Sequence, residues 1–372
     1  MAQHPVSEVR IFLSPPHPSG TEVGYLQKSI AHGWGCSSAT EVDHFESELS
    51  DYIGGSHVAG LNTGTAAIHL ALILLKLHPG DEVLCQSFTF AATVNPVLYQ
   101  GALPVFVDSE TLTWNMDPLL LEQTIQERLK KGKRPKACIV VHSYGMPAQI
   151  HRIRQICYNA EIPLIEDAAE ALGSDIQGQK LGTFGNFGIF SFNRNKIITT
   201  AGGGALLSSE SEGIQKARFL STQSKDPAPY YQHTQIGYNY RMSDVSAAIG
   251  RAQLEVVETR IRQRRSNFDF YRRNICCEWL SEPEGYHSNR WLSCALFSSH
   301  EEREQVRLLL NRHSIESRPL WKPLHRQPAY SEYPHSTNGT SDDLFERGLC
   351  FPSGSNLSVE DLQRVAHIVN QR

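Results

Sequence analysis

Three short segments of this chain place residues that could do chemistry next to elements that could hold them. Phe190-Ser-Phe-Asn-Arg-Asn-Lys196 ends a β-like run with a serine and sets a lysine five residues later, and Ala201-Gly-Gly-Gly204 follows. A lysine in a restricted, partly desolvated site gives up its proton more easily and can form a Schiff base with a carbonyl. Consecutive glycines permit close backbone approach or positive φ. Taken alone, Lys196 reads better as a solvated lysine beside a turn. Pro163-Leu-Ile-Glu-Asp-Ala-Ala-Glu170 is an apolar strand that ends in Glu166 and Asp167. A carboxylate there needs a cation or hydrogen-bond donors. A protonated pyridine nitrogen is one such cation; a surface turn or a helix cap is the alternative. Leu61-Asn-Thr-Gly-Thr-Ala-Ala67 runs straight into a helical pattern. Thr63, Gly64 and Thr65 would offer hydroxyls, unbonded N–H groups and the positive end of the dipole, which makes either an anion site or an ordinary N-cap.

The elements that must position these segments follow from periodicity. Helical patterns at Ala66–Leu77, Ala92–Tyr99, Pro118–Lys131 and Gln149–Asn159 alternate with strand-like runs at Glu82–Gln86, Pro104–Asp108, Lys136–His142 and Ile162–Glu166. Phe187–Phe192 and Gly203–Ser208 close the series. Strands separated by helices of this length predict a mainly parallel sheet covered on both faces, with ligands beyond the carboxyl ends of the strands. Ser243–Asn274 reads as one long helix, and a domain boundary is placed within it near residue 255. Beyond it, Trp291–Phe297 is β-like, Glu301–His313 and Asp361–Gln371 are helical, and Ser331–Asp343 is a polar loop.

Composition sets the outer limits. A 372-residue chain with 40% hydrophobic and 20% charged residues is an ordinary globular protein of about two domains. The net charge of −4 gives no basic excess for nucleic acid. The basic run Arg260-Ile-Arg-Gln-Arg-Arg265 reads as a solvated helix face. The eight cysteines form no C-x-x-C, which favours reduced thiols and a cytoplasmic location. Met1–Arg10 lacks the pattern of a signal peptide, and no apolar stretch is long enough to span a membrane. There is no G-x-G-x-x-G after a strand, no G-x-x-x-x-G-K-[ST], no H-E-x-x-H and no G-x-S-x-G, so no metal is expected.

In chain order these segments resemble the DegT/DnrJ/EryC1/StrS family of pyridoxal-phosphate-dependent sugar aminotransferases. The resemblance runs from Leu13-Ser-Pro-Pro to Cys350-Phe-Pro-Ser-Gly-Ser-Asn356. It is closest at Gln86-Ser-Phe-Thr-Phe-Ala-Ala-Thr93, Glu166-Asp-Ala-Ala-Glu-Ala-Leu-Gly173, Gly237-Tyr-Asn-Tyr-Arg-Met-Ser243 and Arg318-Pro-Leu-Trp-Lys-Pro-Leu-His325. It implies an α/β, fold-type I transferase, with a large cofactor-binding domain over residues 1–255 and a smaller C-terminal α+β domain over 256–372. It also implies pyridoxal 5'-phosphate as cofactor and a cytoplasmic homodimer with sites at the subunit interface. The subgroup it looks most like aminates C4 of UDP-linked 4-keto-6-deoxy sugars, as in bacillosamine and exopolysaccharide biosynthesis, with glutamate as donor. A sugar C3-aminotransferase and a non-catalytic pyridoxal-phosphate-binding regulatory protein are the alternatives. The family's dehydratases carry His in place of the lysine, whereas Lys196 is present.

Carried across by motif position, Lys196 would bind the cofactor covalently and Asp167 would pair with its pyridine nitrogen. Phe90 would stack on its ring, and Gly64, Thr65 and Ser191 would bind its phosphate. Asn239 would reach the phosphate in the neighbouring subunit. Glu170 lies where the family varies with the carbon aminated, and a Glu there resembles C4 enzymes. Trp321 and His325 resemble residues near the nucleotide-sugar pocket, with domain packing the competing role, favoured for Trp321. Arg194 replaces a frequent Gly and could contact a substrate phosphate. Ala201-Gly-Gly-Gly and His142-Ser-Tyr-Gly-Met are further departures, which bear on substrate identity more than on reaction type.

Overall fold

The strands expected between residues 82 and 208 lie side by side in one sheet of the computed structural model, which describes residues 9–31, 33 and 40–372. The expectation about a leader on Met1–Arg10 falls almost wholly outside those residues. Eight strands form the sheet: β1 (His57–Leu61), β2 (Glu82–Gln86), β3 (Leu103–Val107), β4 (Ala137–Val141), β5 (Leu164–Asp167), β6 (Phe187–Ser191), β7 (Gly204–Ser208) and β8 (His335–Ser336). Their order is β1-β7-β6-β5-β4-β2-β3-β8. All neighbouring pairs from β6 across to β8 are parallel, and β7 runs antiparallel to both β6 and β1. Alternate residues enter different cores. Leu84, Val105, Cys138, Val140 and Leu164 join one apolar cluster, while Val83, Cys85, Phe106, Ile139 and Ile165 join the other. Burial on both faces is why these strands read as unbroken apolar runs rather than as alternating ones.

A smaller antiparallel sheet is built from Glu278–Trp279, Ser293–Leu296, Gly348–Phe351 and Arg318–Pro319. Apolar residues of the helices Val257–Asn274, His300–Arg312 and Val359–Val369 pack with it around Tyr271, Trp279 and Phe351. Ile11 pairs with Ile315 and enters this third core, so the start of the described chain packs with its C-terminal part.

The structure corrects three expectations. The polar loop at Ser331–Asp343 contains β8, which pairs with β3 through His335↔Phe106 and Ser336↔Val107, and it runs into a helix at Thr340–Arg347. The buried Asp108 carboxylate fixes this segment by accepting the N–H groups of Asn338, Gly339 and Ser341. A two-residue edge strand leaves no periodicity to read. The long helix is two helices, Asp244–Leu254 and Val257–Asn274, because Val256 N–H turns back to Gln253 O in a tighter turn. The basic run is only partly a solvated face: Arg262 is exposed, but two of its arginines point inward. Arg260 and Arg264 are buried, and their guanidiniums donate to the carbonyls of Pro18 and Trp291. No helix among the described residues is long and apolar enough to cross a membrane.

Candidate active site

The carboxyl ends of β4, β5 and β6 carry Val141, Asp167 and Ser191, and all three line a cavity of about 290 Å³. Thr63, Gly64 and Thr65 close it from the start of the helix Gly64–Leu74, and Lys196 closes it from the loop after β6. Phe90, Glu170, Trp291 and Trp321 complete its walls. A second cavity of about 590 Å³ shares Phe90, Trp291 and Trp321 with the first and extends to Arg194, Glu316 and Arg318.

Strand period separates the two carboxylates that end β5. Glu166 points away from the cavity into the turn at 182–185, where its oxygens accept the N–H groups of Gly182, Phe184 and Gly185 at 2.6–3.0 Å. His142 Nδ1 accepts Ala148 N–H, so its hydrogen sits on Nε2 and is donated to Glu166 at 3.0 Å. Glu166 is therefore a structural anchor. Asp167 faces the cavity, is 5% exposed, and among the described residues accepts only Thr93 Oγ1–H at 2.7 Å and Ala169 N–H at 3.2 Å. No salt bridge to it occurs among the described residues. A buried carboxylate with spare lone pairs and no cation of its own is shaped to receive one.

The start of the helix Gly64–Leu74 supplies the anion-binding end. Thr63 caps the helix by accepting Ala66 N–H at 3.0 Å, and the N–H groups of Gly64 and Thr65 have no partner among the described residues. Two glycines make this close approach possible. A Cβ on Gly64 would lie 3.2 Å from Ser191 Cβ, and one on Gly204 would lie 2.4 Å from Gly64 N. Gly204→Ala is accordingly expected to push the helix start off β7. It should destabilise the fold by about 1–3 kcal/mol and weaken cofactor binding by more than tenfold. Thermal melts and cofactor titration check this, and unchanged affinity would show that the approach is not needed.

Lys196 is brought to the cavity by a closed loop. Phe192 C=O accepts Thr200 N–H at 3.0 Å, and Lys196 N–H bonds to Asn193 O at 3.0 Å. The carbonyl of Asn195 is clamped by Ser14 Oγ–H and Trp291 Nε1–H, both at 2.7 Å. The lysine Nζ stands 3.5 Å from Glu170 Oε1 and 4.2 Å from the centre of the Trp291 ring. Burial pushes the Glu170 carboxyl up from its ordinary value, and the nearby Asp167 charge adds to this, while Lys196 and Tyr144 N–H act against it.

Not every residue singled out in the sequence reaches the cavities. Lys196, Asp167, Glu170, Gly64, Thr65, Ser191 and Phe90 converge on the smaller one, and Arg194 lines the larger. Trp321, read mainly as packing, does both: it lines both cavities and stacks on Tyr144 at 5.9 Å. His325 lines neither. It shares a 2.7 Å hydrogen bond with Ser87 and stacks on His335, tying the end of β2 to β8. Asn239 is exposed and lies outside both cavities, with its carbonyl accepting Asn62 Nδ2–H. Sequence reasoning missed Thr93, Tyr144, Trp291 and Asn195. Tyr144 sits at φ 57°, stacked between Trp291 and Trp321, and its hydroxyl accepts Trp321 N–H at 2.7 Å. Its place in His142-Ser-Tyr-Gly-Met was the one signal available.

This donor set fits pyridoxal 5'-phosphate end to end: unpaired N–H groups and hydroxyls for a phosphate, a cation-free buried carboxylate for a ring nitrogen, and an amine between them. When bound, that cofactor supplies a carbonyl carbon for amine exchange and a ring that accepts an electron pair. Gly64, Thr65 and Ser191 would hold its phosphate, and Asp167 would keep a proton on the ring nitrogen. Lys196 Nζ would carry a proton to and from the reacting carbon. Phe90, Trp291 and Trp321 would exclude water from the cavity.

Comparison with known proteins gives the same answer. The sequence profile of the DegT/DnrJ/EryC1/StrS aminotransferase family matches residues 18–370. EpsN of Bacillus subtilis (strain 168), described as a pyridoxal phosphate-dependent aminotransferase, is 45% identical over 97% of this chain and 95% of its own length. GDP-perosamine synthase of Escherichia coli O157:H7 is 34% identical over 96% of each chain. The PMP form of Spr1654 from Streptococcus pneumoniae, described as a sugar aminotransferase, superposes with a TM-score of 0.90 at 26% identity, covering 97% of this chain and 98% of that one. With a parallel sheet, a helix start with unbonded N–H groups, a buried aspartate and a lysine gathered at one cavity, the chain belongs to the DegT/DnrJ/EryC1/StrS family of pyridoxal-phosphate-dependent sugar aminotransferases.

Proposed function

We propose that this aminotransferase moves an amino group from glutamate to the C4 keto group of a nucleotide-linked 4-keto-6-deoxy-hexose, with UDP as the nucleotide, for surface glycan or exopolysaccharide synthesis. The observation that carries the reading is the second cavity. It adjoins the cavity that holds Lys196 along the shared wall of Phe90, Asn195, Trp291 and Trp321, and it has about 590 Å³ lined in part by Arg194 and Arg318. A keto sugar seated at the lysine thus has room behind it for a linked nucleotide, with cations for its phosphates. Glu170, at the position that resembles C4 enzymes, supports the choice of carbon.

The enzyme works as a cytoplasmic homodimer in this reading. Phe90 is 56% exposed although it lines both cavities, and Asn239 is exposed beside the exposed Ile236. A second copy would cover the first and receive the second.

The purified protein should develop a visible absorbance band with pyridoxal phosphate, lose that band on adding glutamate, and sediment as two chains. Incubation with UDP- and GDP-linked 4-keto-6-deoxy sugars should then yield a 4-amino product from the UDP substrate, identified by NMR. A 3-amino product, or turnover of the GDP sugar alone, would overturn the substrate assignment. A band that ignores glutamate would overturn the donor.

A further inference from the structure

We propose that Glu170 is the positioning residue that shares a proton with Lys196 and so sets the pH at which the amine becomes free to attack a carbonyl carbon. The inference rests on the reading of Lys196 as the reactive amine, and it assigns Glu170 a task beyond marking the carbon aminated. A lysine attacks only as the neutral amine, so its proton must go to a nearby base. Of the carboxylates that line the cavity, Asp167 and Glu170, only Glu170 forms an ion pair with Lys196 Nζ, its Oε1 lying 3.5 Å away.

The two oxygens of Glu170 have separate duties. Oε2 accepts Tyr144 N–H at 2.7 Å, which fixes the carboxyl plane, and Oε1 is left for the lysine. The step balances without a co-reactant: Lys–NH₃⁺ and Glu–COO⁻ become Lys–NH₂ and Glu–COOH. The pair is neutral before and after, so the transfer leaves the net charge of the buried site unchanged. Glu170 is 6% exposed, which narrows the gap between the two states by disfavouring the carboxylate. The titratable groups that face the pair are Asp167 from β5, the Tyr144 phenol from the turn after β4, and the Cys294 thiol from the small sheet. The same carboxyl also secures the left-handed backbone of Tyr144, whose ring stacks between Trp291 and Trp321. One residue thereby couples the reactive amine to the wall that seats the substrate.

The test titrates the lysine without relying on turnover. The cofactor-free protein is acetylated with trace acetic anhydride across pH. The Lys196 peptide is quantified by mass spectrometry against the exposed Lys130. Removing a neighbouring anion makes an ammonium easier to deprotonate, so Glu170→Gln should move half-maximal labelling down by about one pH unit or more. Gln keeps an oxygen for Tyr144 N–H, so a merely structural role leaves this midpoint in place. Glu170→Asp keeps the charge but withdraws it by one methylene, and should fall between the two; it makes the same comparison should the Gln variant not fold. Midpoints that coincide with wild type overturn the proposal. Wild-type protein that gives no visible band with pyridoxal phosphate overturns the aminotransferase reading instead, and the midpoints still decide whether Glu170 and Lys196 share a proton.

Discussion

Lys196→Ala is expected to lower amino transfer by at least about 10⁴-fold while leaving the melting temperature within about 4 °C of wild type. The loss is large because in the proposed reaction one side chain would do two jobs, holding the cofactor and moving a proton at the reacting carbon. The nearest other amine or imidazole cannot substitute, since the loop 193–196 is clamped at Asn195 by Ser14 and Trp291 and presents a single amine to the cavity. The fold tolerates the change for an electrostatic reason. Removing one partner of a buried ion pair normally strands a charge. Here burial already raises the Glu170 carboxyl, so it takes up a proton and keeps its bond from Tyr144 N–H. Single-turnover assays with glutamate and differential scanning calorimetry measure the two quantities. Activity above a few per cent, or a chain that no longer folds, would contradict the assignment of Lys196 as a residue of chemistry rather than of structure.

What could be read from the sequence was whatever lay close together along the chain. Strand, turn and helix start are local patterns, so Gly64, Thr65, Asp167, Ser191 and Lys196 could be found from the segments that carry them. The parallel sheet followed from the alternation of those elements. The aromatic wall could not be found this way. Tyr144, Trp291 and Trp321 come from three separate parts of the chain, and the positive φ that aims Tyr144 leaves no trace in residue type. The errors have physical causes too. Arg260 and Arg264 have the spacing of a solvated helical face, but the carbonyls that accept their protons belong to Pro18 and Trp291, far away in sequence. For His325 the sequence left the sugar pocket and domain packing both open, because the one turn of 3₁₀ helix at Leu324–Arg326 that carries its ring to Ser87 has no local signature.

Asp167→Asn is expected to reduce the turnover number by roughly 10³-fold, about 4 kcal/mol of transition-state stabilisation, with a stability change of about 1 kcal/mol or less. The stability estimate follows from the hydrogen bonds. Asn keeps an oxygen for Ala169 N–H or Thr93 Oγ1–H, and Thr93 can turn to Thr89 Oγ1, already at 2.9 Å. A buried anion without a cation partner among the described residues is also removed, which offsets part of the lost bond. The chemical cost has no such offset. A neutral amide would not keep a proton on the ring nitrogen of the bound cofactor, and the electron sink that the cofactor supplies would be weaker for it. Cofactor affinity should fall much less than turnover, because Gly64, Thr65 and Ser191 are untouched. This makes Asp167→Asn the mirror of Gly204→Ala, which spares the carboxylate and displaces the phosphate end. Turnover at saturating cofactor should collapse in the first variant and be largely restored in the second. If both variants lose affinity and turnover in equal proportion, the cavity holds its ligand as one unit, and the division into a holding end and a chemical end is wrong.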